Sequence, residues 1–158
     1  MDKQEKQLLE SLKHNKYVLQ MKRFKQHGFV NTYQHSCNVT HVALRLASLF
    51  HIKKKKRQNI IVGAMLHDFY LYDYHNGRMT KYGLHALSHP LVAANNAEKT
   101  FHITSRQKDI IKTHMFPSTI AFIPKTIEGW IVNLSDKYCA VCEIIYGILY
   151  QKAWEVKA

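Results

Sequence analysis

The sequence predicts an all-α protein: a single compact domain of about five to seven helices spanning residues 1–158. Apolar residues recur at spacings of three and four along most of the chain, which is typical of amphipathic helices. No stretch of useful length alternates apolar and polar residues as a half-buried strand would. A chain of 158 residues can bury one full core, and no repeat or linker divides it.

The first third of the chain predicts two helical regions. Residues 2–27 form one helix, or two if Asn15 interrupts the pattern. Gly28 ends this region, because glycine adopts left-handed backbone at little cost. Asn31 or Thr32 caps the next helix. One face of that helix carries a histidine and four apolar residues at steps of four and three: His35, Val39, Val42, Leu46 and Leu49.

The third helical region ends in an adjacent His-Asp pair. An apolar helix runs from Asn59 to Asp68, with His67 as its penultimate residue. Such a pair on a buried surface is costly unless both side chains bind something, and a buried ion pair or helix cap is the alternative. The basic run 53–57 precedes this helix and is predicted as a solvated helix start or loop, with a nucleic-acid patch as the alternative.

An irregular segment and a fourth helix follow. Residues 69–82 hold four tyrosines and are interpreted as a loop beside the His-Asp pair. The fourth helical pattern ends near Phe101. Pro90 is tolerated in a first helical turn, so we expect the helix to begin near Ser88 as N-cap, with His89 at its start.

Two further helices complete the chain. Ser105 caps a short one that ends near His114, and a long one runs over about residues 125–153. The inward stripe of the long helix is Val132, Asp136, Cys139 and Glu143. Asp136 is a carboxylate in a largely apolar helix, and no lysine or arginine shares its stripe. Lys137 is adjacent in sequence and is predicted to point elsewhere.

Composition narrows the function classes. The net charge of +12, from 23 basic and 11 acidic residues, favours anionic partners. No run approaches the about 18 apolar residues of a membrane span, and the polar N-terminus shows no secretory signal, so we expect a cytoplasmic protein without a membrane partner. Three cysteines do not make a disulfide framework.

The histidines and carboxylates at helix ends and inward faces predict a metal site. The candidate ligands are His35, His67, Asp68, His89, His114 and Asp136. Four imidazoles and two carboxylates suit transition metals better than calcium or magnesium, with Fe or Mn preferred and Zn, Co or Ni as alternatives. Six groups exceed one tetrahedral zinc site and suit two divalent metals roughly 3.5–4 Å apart.

The order H…HD…H…H…D resembles the HD-domain superfamily of metal-dependent phosphohydrolases over about residues 33–143. His35, the pair at 67–68 and Asp136 match its core motif. His89 and His114 match two further histidines of its binuclear branch. No Gly-Tyr-Pro element follows, which argues against cyclic-dinucleotide cleavage. With its aromatic continuation after the HD pair, the sequence is similar to a group of small bacterial HD proteins.

The resemblance implies that Asp68 bridges two metals and that Asp68 and His67 lie at the catalytic centre. His35, His67 and Asp136 would complete one metal, and His89 with His114 the other. The implied reaction is cleavage of a phosphate ester or phosphoanhydride, through a metal-bridging hydroxide. The substrate would be a nucleotide or another small phosphorylated metabolite.

Other assignments at the site stay open. Arg78, Lys81 and Lys137 are candidates for binding the substrate phosphate. The aromatic residues Tyr70, Tyr72 and Phe116 either stack on a base or belong to the core, and we favour the core. One alternative is a mononuclear enzyme in which the two additional histidines contact substrate. The other is a non-catalytic regulatory module that binds a nucleotide or nucleic acid, which is less favoured because the ligand set is complete.

Overall fold

A computed structural model describes residues 1–74 and 79–155 of the chain. In these residues it has seven helices and one short antiparallel hairpin, so the all-α prediction is confirmed. The α-helices are α1 (Lys3–Lys13), α2 (Thr32–Leu49), α3 (Lys54–Leu66), α4 (His85–Phe101), α5 (Ser105–Thr113) and α6 (Ile127–Glu155). A 3-10 helix covers Val18–Arg23, and the hairpin pairs β1 (Met79–Thr80) with β2 (Gly83–Leu84).

Three helices begin with a reciprocal cap that the sequence encodes. Each N-cap side chain accepts the N–H of the third helical residue, whose side chain accepts the N-cap N–H in return. The pairs are Asp2 with Glu5, Asn31 with Gln34, and Thr104 with Gln107. The predicted cap at Asn31 is confirmed, whereas α5 is capped by Thr104, one residue before the predicted Ser105.

The interruption at Asn15 is confirmed. Helix α1 ends at Lys13, and the Asn15 side chain accepts the N–H of Tyr17 at 2.9 Å, a local bond that competes with helix continuation. Helix α3 begins at Lys54, five residues before the predicted start, because the basic run forms its first turn. Within that run Arg57 is buried and donates to Glu5 at 2.8 Å.

The predicted start of α4 near Ser88 is wrong. The helix begins at His85, directly after β2, and Pro90 lies inside it. Ser88 does not cap the helix; its hydroxyl donates to the Leu84 carbonyl at 2.8 Å and pairs with the Thr80 hydroxyl at 2.7 Å. The helix follows directly on the hairpin, and Pro90 lies beyond its first turn, where a proline lacks the N–H that would bond to the carbonyl four residues earlier.

Helix α3 is the centre of the packing. Ile60, Ile61, Ala64, Met65 and Leu66 on it are fully buried. One hydrophobic cluster around it involves α1, α4 and the 3-10 helix, and a second joins α2, α5 and α6. Because the second half of α3, residues 60–66, is buried on all sides, the residues directly after its C-terminus are carried into the interior.

Two glycines allow the segment before α2 to lie directly on α6. Gly28 has φ +56°, and a Cβ there would lie 3.1 Å from the Glu143 carbonyl oxygen. A Cβ on Gly147 would lie 3.2 Å from the Gly28 Cα. The close approach therefore requires glycine at both positions. Among the described residues, no helix has the length and apolar character needed to cross a membrane.

Candidate metal centre

Five helix segments bring all six predicted ligands together. One histidine lies in the first turn of α2, another follows α3, a third is in the second turn of α4, and a fourth follows α5. Asp136 projects from the third turn of α6. All six side chains are buried: His35, His67, Asp68, His89, His114 and Asp136.

Asp68 lies between two groups of histidines. Its Oδ2 is 3.3 Å from His67 Nε2 and 4.0 Å from His35 Nε2. Its Oδ1 is 3.3 Å from His89 Nε2 and 3.5 Å from His114 Nε2. Each oxygen therefore forms a cluster of three candidate ligands with a different histidine pair.

The second carboxylate belongs to one of these groups. Asp136 Oδ1 lies 3.0 Å from His35 Nε2 and 3.6 Å from His67 Nε2. We call His35, His67 and Asp136 the acidic half of the centre. We call His89 and His114 the neutral half, and both halves share Asp68.

Every histidine of the centre is held through its other ring nitrogen. His67 Nδ1 donates to the Ala64 carbonyl at 2.7 Å. In the neutral half, the Nδ1 atoms donate to the His85 and Ile111 carbonyls at 2.9 and 2.7 Å. Such bonds fix the tautomer that leaves Nε2 as the metal-binding atom.

His35 is held by a carboxylate instead of a carbonyl. Its Nδ1 donates to Glu143 Oε2 at 2.8 Å, and Asn38 Nδ2 donates to the other oxygen of Glu143 at 2.9 Å. A carboxylate behind a metal-binding imidazole raises its basicity. Sequence reasoning assigned no role to Glu143, although it lies seven residues after Asp136 on the same stripe.

The residues present fit a divalent metal. His67 Nε2 and Asp68 Oδ1 are buried without a hydrogen-bond partner, which is costly in a protein interior. His89 Nε2 and His114 Nε2 lie 3.1 Å apart. With both Nδ1 atoms donating to carbonyls, neutral rings would turn two lone pairs toward each other. A cation bound by these atoms removes both penalties.

The pKa shifts show the same demand for positive charge. Burial would raise the pKa of Asp68, but adjacent His67 holds it well below its usual range. Burial would also raise the pKa of Asp136, yet the hydrogen bond from His35 and the nearby positive charge of His67 keep it well below that range. Burial would lower the pKa of His35, but its bonds to Asp136 and Glu143 raise it to about 9.

His114, in the neutral half, shows the opposite shift. Burial, together with the nearby positive charge of His67, lowers the pKa of His114 to about 3. This imidazole is therefore uncharged at neutral pH, the form that binds metals.

A cavity of about 330 Å³ opens onto the centre. Two residues at its wall were not anticipated, Gln26 and His27. Gln26 Nε2 donates to Asp68 Oδ2, and the Tyr70 hydroxyl donates to Gln26 Oε1 at 2.7 Å. The two wall residues lie between the 3-10 helix and α2, where no periodicity predicts side-chain direction.

Of the three side chains predicted to bind phosphate, one lines the cavity. Lys137 lines the cavity and donates to the His114 carbonyl at 2.8 Å, with its Nζ 3.8 Å from Asp136 Oδ2. The expectation that Lys137 points elsewhere is therefore wrong. Lys81 does not line this cavity; its Nζ lies over the Tyr82 ring, 4.9 Å from the ring centroid. Arg78 lies outside the described residues.

Of the three aromatic candidates, Tyr70 lies in the core, whereas Tyr72 and Phe116 are half-buried. Tyr70 is 2% exposed, and Phe116 packs edge-on against Trp130. Tyr72 OH is 2.7 Å from His85 Nδ1. His85, which precedes the predicted helix start near Ser88, is the first residue of α4 and contributes to the cavity wall.

The fold and the buried cluster define a class: an all-helical protein with a histidine–aspartate centre suited to divalent metals. The HD domain family matches residues 32–141, and this chain belongs to that family. The match includes all six candidate ligands and confirms the resemblance found in the sequence. The superfamily consists largely of metal-dependent phosphohydrolases, and divalent metal binding follows for the cluster. No curated protein and no solved structure matches the chain.

Proposed function

We propose that this chain is a metal-dependent phosphohydrolase. It would cleave a phosphate ester or phosphoanhydride of a nucleotide or another small phosphorylated metabolite. The cofactor would be two divalent transition metals, Fe or Mn in preference to Zn, Co or Ni. His67 and Asp68 would lie at the catalytic centre, with the acidic half holding one metal and the neutral half the other.

One observation carries the proposal: the two oxygens of Asp68 face different histidine pairs. A bridging carboxylate of this kind is how two-metal hydrolytic sites hold their ions about 3.5–4 Å apart. A purely structural buried aspartate would need donors at both oxygens. Oδ1 of Asp68 has no hydrogen-bond partner among the described residues.

The side chains around the metals would provide rigidity. A divalent metal pair supplies activated water at neutral pH and neutralises charge on phosphoryl oxygens. The hydrogen bonds at the four Nδ1 atoms fix the rings before substrate arrives, and Gln26 fixes one oxygen of Asp68. Geometry set in advance costs no reorganisation during the reaction.

Charge and cavity size support a small anionic substrate. Lys137 is the lysine on the cavity wall, close enough to the centre to contact a bound phosphate. The +12 net charge would draw an anion toward it. A volume of about 330 Å³ is at the low end of small-molecule sites, which favours a small phosphorylated metabolite or mononucleotide over nucleic acid.

The metal content of wild type and the turnover of the Asp68→Ala variant test this function. Freshly purified wild type should contain about two transition metals per chain. With Mn or Fe(II) added, a panel of phosphate esters should include a substrate. Asp68→Ala should reduce its turnover by at least about 10³-fold, while the melting temperature changes little.

The control variant is Asp109→Ala, at a half-buried position of α5 away from the cluster, which should keep full turnover. Wild type that is free of metal, or equally active after metal removal, would contradict the proposal. A large fall in melting temperature in Asp68→Ala would assign a structural role. Salt-sensitive RNA binding that survives His35→Ala would favour the non-catalytic binding module.

Replacing Lys137 tests the substrate contact separately. Lys137→Ala should raise KM by about 10–100-fold, because one charge-assisted hydrogen bond to phosphate is worth about 1.5–3 kcal/mol. Metal content should not change. Lys81→Ala is the matched control, since that lysine lies off the cavity, and its KM should equal that of wild type. Equal effects of the two variants would rule out a specific contact by Lys137.

A further inference from the structure

Helix α6 exposes an apolar stripe along the side that faces away from the metal centre. Its five members are each between 49% and 61% exposed: Leu134, Tyr138, Val141, Ile145 and Ile148. We call this stripe the α6 seam. The opposite side of the helix carries Asp136 and Glu143 into the centre. The seam is therefore not needed for the core or for the metal ligands.

The spacing of the seam is that of a coiled coil. Its residues follow one another at steps of four, three, four and three, the 3.5-residue repeat that keeps an apolar stripe facing a second helix. A sheet or a flat surface does not require this period. The seam therefore fits a partner helix of similar length.

The seam is free of charge on a strongly basic protein. From Tyr138 to Tyr150 the sequence has one charged residue, Glu143, which is buried against His35. A membrane-surface helix would instead carry lysine or arginine along its polar face. An uncharged stripe lets two chains of net charge +12 meet without placing like charges in contact.

The exposed area is large enough for a stable interface. With the neighbouring Ile144 and Leu149, 44% and 61% exposed, the seam leaves on the order of 800 Å² open, the area that each partner of a standard interface buries. No other helix in the described part of the chain exposes five apolar side chains along one stripe. A second copy of α6 therefore offers the matching surface.

We propose that two copies of this chain form a homodimer in which their α6 seams pack against each other. The contact is isologous, so each seam residue is buried in both subunits. Val141 is the middle member of the seam and lies closest to the twofold axis. The proposal does not depend on the activity of the metal centre.

Molar mass in solution tests the dimer. Light scattering of metal-loaded wild type at about 100 µM, a concentration that would populate even a weak dimer, should give twice the 18.5 kDa of one chain. The double variant Val141→Glu, Ile145→Glu should give one chain mass, because it buries unpaired carboxylates in the contact. The metal content of the double variant should equal that of wild type, and its melting temperature should show that the monomeric subunit still folds.

The control replaces a more exposed isoleucine elsewhere. Ile120, in the loop before α6, is 76% exposed, and Ile120→Glu should remain a dimer. In a Cys142→Ser background, which removes a neighbouring exposed thiol, Val141→Cys should form an interchain disulfide on mild oxidation. A wild type that is monomeric overturns the proposal. This holds even if the monomer sediments with lipid vesicles, because the seam would then bind a membrane surface and not a second copy. A dimer that persists in the double variant also overturns it.

Discussion

The acidic and neutral halves of the metal centre share Asp68 but differ in charge. The acidic half contains a second carboxylate, Asp136, and has Glu143 behind one of its histidines. In the neutral half both rings rest on backbone carbonyls, and the pKa of His114 is lowered to about 3. Because affinity for a divalent cation rises with the number of anionic ligands, the halves should differ in how tightly they hold metal.

Two variants that each remove one histidine, one from either half, should show the largest difference between the halves. His35→Ala should lower turnover by about 10³-fold or more, because it takes a ligand from the tighter site and leaves Glu143 and Asp136 without their shared donor. His114→Ala should lower turnover by about 10–100-fold and lose one metal on dialysis. Metal analysis and turnover at increasing Mn concentration measure both.

The response to added metal should distinguish the two variants. Excess Mn should restore much of the activity of His114→Ala and little of that of His35→Ala. If both variants lose the same amount of metal and recover equally, the two halves are equivalent and the comparison fails. If wild type binds only one metal per chain, the two histidines of the neutral half would instead be assigned to substrate contact.

Neutralising Glu143 should sharpen the comparison with a smaller effect. Glu143→Gln keeps the shape of the side chain but removes the charge behind His35, so metal affinity in the acidic half should fall about 10–100-fold. A competition titration with a coloured chelator measures this. Glu98→Gln, at an exposed position on α4 paired with Lys108, should leave affinity unchanged.

The smallest effect is a pH dependence of the metal-stripped protein. The pKa of His35 is raised from 6.5 to about 9 in the fold, so its stabilisation is complete below about pH 6.5 and is lost as the pH rises through 9. The melting temperature should fall by about 5–10 °C across that window. The lowered pKa values of Asp68 and Asp136 act only at acid pH.

Saturation with Mn should abolish this pH dependence, because metal takes the place of the proton on His35. The His35→Ala variant, stripped of metal, should also show a flatter profile. A metal-stripped wild type whose melting temperature rises from pH 6.5 to 9 would contradict the assignment of a proton to the acidic half.

The helices and the burial of the candidate ligands could be predicted because both follow periodic or ordered signals. His35 and Asp136 each lie on an apolar stripe, and the pair at 67–68 ends an apolar helix, so burial could be inferred from spacing alone. The start of α4 could not, because a hairpin with no sequence period determines it and overrides the rule for Pro90.

Side chains in irregular segments or at the flank of a stripe were harder to place. Gln26 approaches Asp68 from a segment without a helical repeat, and 42 residues separate the two in sequence. Lys137 starts from the flank of α6, but its long side chain turns back to the His114 carbonyl. Glu143 was within reach of prediction, since a second acid one heptad after Asp136 occupies the same helix face.

Because Gly28 and Gly147 pack against each other, mutations at positions other than the candidate ligands can also impair the metal centre. Neither residue is a candidate ligand, yet Gly28 lies two residues after Gln26, whose side chain donates to Asp68. A single added methyl group at either position must push the segment carrying Gly28 outward. Selection on the metal centre would thus act on two codons far apart in the gene, for residues with no reactive group.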